Sequence, residues 1–207
     1  MIDYAAFAAL PPTTLADELT RANVMDAQLR PLWSGMPRIA GPAFPVRCPA
    51  GDNLMLHAAI YRAPAGSIIV VESADLRYAV AGGNVCAVAQ KHGVAGFVVD
   101  GAIRDLAEAR ENRFSVFARG VIPIPGGKEL LDVLNGPVRC GGVQVEPGDV
   151  VVADEEGIVV VPAARASEIL ARAQKRAAKN AQESLAEWEA SHRARIDEIL
   201  RKKGFAG

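Results

Sequence analysis

The sequence predicts an α/β fold, one domain over residues 1–162 followed by a helical extension over residues 163–207. Three observations carry this reading. Between residues 41 and 121, apolar strand-like runs alternate with helix-like segments, the pattern of layered folds with at least some parallel strands. Residues 137–162 change to short β runs broken by Gly-Gly, Pro-Gly-Asp and Glu-Glu-Gly, which punctuate antiparallel hairpins at one edge of the core. From Ala163 to Lys203 the chain is Ala-rich and charged, with Glu168/Arg172, Glu189/Arg193 and Glu198/Lys202 spaced four apart in the order that favours a helix.

In chain order, "TTLADELTRANVMDAQL" predicts a helix with Thr14 as N-cap and Asp17 at the capping-box position. Residues 41–73 read as strand, turn, helix, turn and strand, with Asp52 or Asn53 capping a short helix that carries Leu54, His57 and Ile60. "AGGNVCAVAQKHGVAGFVVDG" repeats the scheme, with a helix from Asn84 to Lys91 and a buried strand over 96–100. Arg104 and Asp105 follow, then a short helix "LAEAR" with Asp105 as its N-cap, then the strand "FSVFARGV". The terminal helix is too long for one small domain to cover. It is expected to break in two or to lie across a neighbouring subunit, with Gly204 as its stop.

Composition narrows the classes of function. A chain of 207 residues, half of them hydrophobic, buries a proper core, and a net charge of −1 without a basic patch argues against nucleic-acid binding. Cys48, Cys86 and Cys140 are odd in number and lack paired spacing, which predicts reduced thiols and a cytoplasmic protein. The first residues lack the basic flank and apolar core of a signal peptide. "GSIIVVES" is too short to span a bilayer.

Three features point to chemistry. Gly82, Gly83, Asn84 and Val85 open a helix whose free N–H groups form an anion site. Arg104 stands at the carboxyl end of the 96–100 strand, where open α/β sheets bind ligands. Asp105, beside it, is a single carboxylate of the kind that holds Mg²⁺ or Mn²⁺ among water and substrate oxygens. The plainer reading makes Arg104–Asp105 an exposed pair at a helix start. His57 and His92 belong to no metal-ligand spacing and read as packing residues, Lys91 as an exposed helix end, and Cys86 as a small buried residue. No G-x-G-x-x-G follows a strand, which argues against a methyl-donor or nucleotide site.

The succession "GPAFPVRCPAGDNLMLH", "APAGSIIVVE", "GGNVCAVAQKHGVAGFVVDGAIRDLAEAR", "FSVFARGV" and "CGGVQVEPGDVVVADEEGIVVVP" closely resembles the RraA-like family, from about Thr13 to Glu183. That family contains regulators of ribonuclease E activity and divalent-metal class II pyruvate aldolases. The resemblance implies a β/β/α swivelling-type domain, assembled as a trimer or hexamer with sites between subunits. It also implies that Arg104, Asp105 and Asp17 are catalytic, that Asp105 holds the metal, and that Asp17 reaches a neighbour's site to help deliver a proton to the pyruvate methyl. The family's aldolases carry an acid twenty-one residues before the arginine. Here that position is Gly83.

The reading is a metal-dependent lyase on a 2-oxo acid, cleaving 4-hydroxy-4-methyl-2-oxoglutarate-type substrates or decarboxylating oxaloacetate through a pyruvate enolate. Arg104 would stabilise the enolate oxygen, and the N–H groups around Asn84 and Val85 the carboxylate. Specificity is expected from "GGKELLDVLNG", residues 126–136. The alternative, kept alive by Gly83, is a non-catalytic RraA-like protein that docks on an RNA-degrading enzyme.

Overall fold

The computed structural model describes residues 2–205. In chain order it contains α1 (Tyr4–Ala8), α2 (Pro12–Ala16), β1 (Arg30–Pro31), β2 (Ile39–Cys48), α3 (Leu54–Ala59), β3 (Ile68–Ser73), β4 (Ala79–Ala81), α4 (Gly83–Lys91) and β5 (Gly96–Ile103). There follow α5 (Leu106–Glu111), β6 (Ser115–Val121), β7 (Val138–Cys140), β8 (Val143–Val145), β9 (Val150–Asp154), β10 (Gly157–Val161), α6 (Ala166–Gln182) and α7 (Leu185–Lys202).

The main sheet runs β1-β6-β5-β3-β2-β9-β10, with β4 added alongside β5. Its centre is parallel: β2 pairs β3, β3 pairs β5 and β5 pairs β6 in that sense. The β9–β10 hairpin closes one edge antiparallel to β2, and β7–β8 form a separate two-stranded sheet.

Period-2 alternation assigns the central strands to two cores. Phe44, Val46, Ile69, Val71, Phe97 and Val99 face α3, α4 and α5. Their neighbours Ala43, Ile68, Val70, Val98 and Phe117 face the β7–β8 ribbon, through Val138, Cys140, Val143 and Val145. Ribbon, sheet and helices are therefore stacked as β, β and α layers. Phe97 and Phe114 meet edge to face at 4.8 Å, a geometry worth about 1 kcal/mol beyond the area it buries.

A third core lies behind the hairpin, where Val150, Val152, Val159 and Val161 pack against Phe7, Leu15 and the α6 residues Ala166, Ile169 and Ala173. The terminal helix breaks at Glu183 and Ser184, as the sequence allowed. Ser184 and Glu187 form a capping box that starts α7 afresh, and no residue of α7 is buried. All three expected helical pairs form, at 3.2, 3.8 and 2.6 Å in order along the chain. No described helix is long and apolar enough to cross a membrane.

The capping box expected at Thr14 and Asp17 does not form. α2 begins at Pro12, Pro11 is its N-cap, and Asp17 is its C-cap. Proline fixes φ and lacks an N–H, so it starts a helix without needing a side-chain cap. The helix ends after five residues because Leu15 and Phe7 are already seated on the hairpin core. Glu18 then turns to α6, where its carboxylate meets Arg172 and Arg176 at 2.7 Å each.

Candidate active site

The site is assembled where β5 runs out. Arg104 donates its backbone N–H to Ala81 O at 2.9 Å, which sets it beside the end of β4 and hence beside Gly82 and Gly83. Asp105 follows in the left-handed region at φ 55, ψ 42, a conformation that aspartate tolerates better than most residues. It occupies the N-cap position of α5, but the expected side-chain cap of that helix is not made. Its Oδ2 accepts instead from the N–H of Gly83 at 3.1 Å and so caps α4. Close approach requires the glycine at 82, where a Cβ would lie 2.5 Å from Asp105 Oδ2 and 3.1 Å from Arg104 Cγ.

A loop completes the enclosure. Asp52 accepts from the N–H of Leu54 at 2.8 Å, so it supplies the cap of α3 although Asn53 holds the N-cap position. Its other oxygen accepts from the N–H groups of Glu129 and Leu130 at 2.6 and 3.2 Å. Burial opposes that charge, but these three donors and Lys128 together hold the Asp52 carboxyl below its usual range. Asn53 donates its side-chain amide to Gly126 O at 3.2 Å, which ties the same loop to α3. Lys128 is thereby carried over the glycine turn.

The resulting cavity, about 70 Å³, is lined by Asn53, His57, Ala79, Ala81, Gly82, Asn84, Val85, Arg104, Asp105, Pro125 and Lys128. One water needs roughly 10–15 Å³ on this measure, so the space suits a compact anion and its waters. Among the described residues the N–H groups of Asn84 and Val85 have no acceptor, and they open the first turn of α4. Arg104 Nε lies 3.4 Å from Asp105 Oδ2, with the side chains 41% and 38% exposed, so their pairing is weak and both still face the cavity.

Gly82, Asn84, Val85, Arg104 and Asp105 are thus brought together as the sequence predicts, with Gly83 adjoining as the donor to Asp105. Asp17 is not among them within one chain. It is exposed and pairs with Arg176 of α6 at 3.4 Å. His57, read from sequence as a packing residue, lines the cavity; burial first, then the charges of Lys128 and Arg104, depress it to about 4, so it is neutral at pH 7. Lys128 and Asn53 were missed. Lys128 has a signal only in falling within the 126–136 segment expected to set specificity, and Asn53 only as a possible helix cap. Cys86 fits its reading as a buried residue, its thiol pushed up to about 12 by burial and then by Asp105 and Glu108.

No group of three or more His, Cys, Asp or Glu converges on a metal position among the described residues. A single carboxylate, with Oδ1 outside every hydrogen bond the side chain makes, suits a hard divalent cation that keeps most of its water. It does not suit zinc, which takes three or four protein ligands. The residues present therefore fit Mg²⁺ or Mn²⁺ held through Asp105.

A family model described as "RraA-like: Aldolase/RraA" matches residues 12–160. A protein of Halalkalibacterium halodurans named "Putative 4-hydroxy-4-methyl-2-oxoglutarate aldolase" is 34% identical over 200 residues, covering 96% of this chain and 91% of that one. The solved structure of Streptomyces coelicolor RraAS2, described as an unusual member of the RNase ES inhibitor RraA protein family, superposes with a TM-score of 0.73 at 28% identity, covering 93% of this chain and 96% of that one. The RNA-processing inhibitor RraA from Thermus thermophilis gives a TM-score of 0.67 at 30% identity, over 73% of this chain and 92% of that one.

Proposed function

Because the chain belongs to the RraA-like family, we propose that it is a divalent-cation-dependent lyase of 2-oxo acids. The reaction is aldol cleavage of a 4-hydroxy-4-methyl-2-oxoglutarate-type substrate, oxaloacetate decarboxylation, or both. One observation carries the reading: Arg104, Asp105 and the open N–H groups of Asn84 and Val85 line a single cavity.

The substrate's carboxylate is received by the Asn84 and Val85 N–H groups, whose donors are fixed by the helix before the ligand arrives. Breaking the bond beside the keto group leaves the pyruvate fragment as an enolate. Arg104 meets the negative charge that develops on its oxygen, and a preorganised donor of this kind lowers a barrier by about 3–4 kcal/mol. Asp105 would hold a Mg²⁺ or Mn²⁺, which would supply Lewis-acid stabilisation of the developing negative charge. Lys128 adds positive charge to the cavity lining and suits the distal carboxylate of a dicarboxylic substrate. Asp17 lies outside the cavity of its own chain, so its role in protonating the pyruvate methyl calls for a neighbouring copy in a homotrimer or hexamer.

The test is release of pyruvate from oxaloacetate and from 4-hydroxy-4-methyl-2-oxoglutarate with Mg²⁺ or Mn²⁺ present. Arg104→Met is expected to lower kcat by about a hundredfold to a thousandfold. Unchanged turnover in that variant sinks the reading.

One observation favours a second reading, a non-catalytic partner of an RNA-degrading enzyme: Gly83 stands where the family's aldolases carry an acid. Absence of turnover on every 2-oxo acid, together with capture of such an enzyme, would establish it.

A further inference from the structure

The loop that carries Lys128 to the cavity is not held there by apolar contacts of its own. Leu130 and Leu131, the side chains such contacts would use, are 48% and 85% exposed. Two polar anchors hold it instead. The first is Asp52, which accepts from the N–H groups of Glu129 and Leu130. The second is Arg47, one residue before the end of β2. Its backbone N–H donates to Val133 O at 3.0 Å, and its Nη1 donates to Asp132 Oδ1 at 3.4 Å. Burial first, and then the charges of Asp52 and Asp132, push the Cys48 thiol up to about 12, so both anchors converge on the end of β2.

Arg47 is itself fixed from the sheet. Glu72 stands opposite it on the parallel strand β3, with Oε1 3.1 Å from Arg47 Nε. The other Glu72 oxygen accepts from the N–H of Arg139 at 2.8 Å, which ties that carboxylate to β7. Arg47 Nε is buried and out of line for a hydrogen bond, so its attraction to Glu72 is one of charge, and the guanidinium is shared between two carboxylates. A chain Glu72–Arg47–Asp132 thus runs from the sheet to the loop. The side chains of Arg47 and Asp132 are 38% and 26% exposed, which limits their pair to about 1 kcal/mol. That is too little to decide the fold, and enough to decide where a short loop without apolar anchors rests.

We propose that Arg47 is a positioning residue for substrate selection: by holding Asp132 it fixes the 126–136 loop, and through it Lys128, and so sets the affinity for the distal carboxylate of a dicarboxylic 2-oxo acid. This rests on the reading that Lys128 receives that carboxylate. Arg47 touches no substrate and acts only through the loop.

The experiment follows Lys128 in two ways, in the full chain with folding checked by circular dichroism. The His57 imidazole reports on it without turnover, because burial first and then the Lys128 charge hold its value down. Lys128→Met and Arg47→Gln are both expected to raise that value, read by NMR titration. The KM for oxaloacetate is expected to rise about threefold to tenfold in Arg47→Gln and in Asp132→Ala, with kcat within about twofold, and Arg47→Lys is expected to recover part of the loss. Adding Arg47→Gln to Lys128→Met is expected to raise KM no further, since one residue acts through the other. A His57 value raised by Lys128→Met but not by Arg47→Gln would overturn the proposal, as would additive effects on KM. An unchanged KM in Lys128→Met would overturn the assignment of the distal carboxylate and the role of Arg47 with it. Absence of turnover together with a raised His57 value in Arg47→Gln would overturn the lyase reading, and substrate selection with it, while the anchoring of Lys128 through Arg47 would stand.

Discussion

Asp105 Oδ2 accepts the Gly83 N–H at 3.1 Å, so the carboxylate that precedes α5 caps α4. A structural duty and a proposed chemical one therefore fall on one side chain, and substitutions can part them. Asparagine tolerates the left-handed backbone at φ 55 and keeps an acceptor for Gly83. Asp105→Asn is expected to stay within about 0.5 kcal/mol of wild-type stability while lyase turnover collapses. Asp105→Ala loses the cap and strains the backbone, and is expected to cost about 2 kcal/mol. Urea titrations alongside the pyruvate assay measure both.

His57 gives the fold an acid-sensitive element. Its folded value is about 4 against an ordinary 6.5, with burial the main cause. Between those values the unfolded chain takes a proton that the folded chain refuses. Stability contributed here is fully present above the ordinary value and is lost as pH falls from about 6.5 towards 4, by up to about 3 kcal/mol. His57→Gln is expected to flatten the stability profile across that window. Equal slopes for variant and wild type would show that His57 carries no such penalty. A dicarboxylate bound between Lys128 and Arg104 is expected to raise the His57 value, which NMR of the imidazole can follow.

The end of the chain is expected to separate from the core. α6 contributes Ala166, Ile169 and Ala173 to the hairpin core, whereas no residue of α7 is buried. Leu185 and Trp188 stand 80% and 48% exposed, which suits a helix that packs on a neighbouring subunit. Truncation after Gln182 is expected to remove only α7's share of the helical far-ultraviolet signal, to leave the core folded and to weaken self-association. Light scattering reads the second effect, and an unaltered assembly mass would remove α7 from the interface.

Local chemistry made much of this legible in the sequence. The helix expected from Asn84 to Lys91 begins one residue earlier, and the 96–100 strand extends to Ile103 because β4 and β6 still pair with it there. The β/β/α layering came from the family resemblance and is the architecture found. The false expectation at Thr14 and Asp17 has a physical cause: a capping pattern is a local preference of about 1 kcal/mol, and burial of Phe7 and Leu15 against the hairpin outweighs it.

By itself the sequence determined the central strands and helices from residue 41 onward, because side-chain periodicity and turn residues act over a few positions. It also determined that Arg104 and Asp105 fall at a strand's end. Only tertiary structure decided what surrounds them. Asp105 reaches Gly83 across 22 residues, and Asp52 draws in the loop that carries Lys128 from 77 residues away. Such contacts depend on how layers stack and which strands pair, and no local pattern encodes that distance.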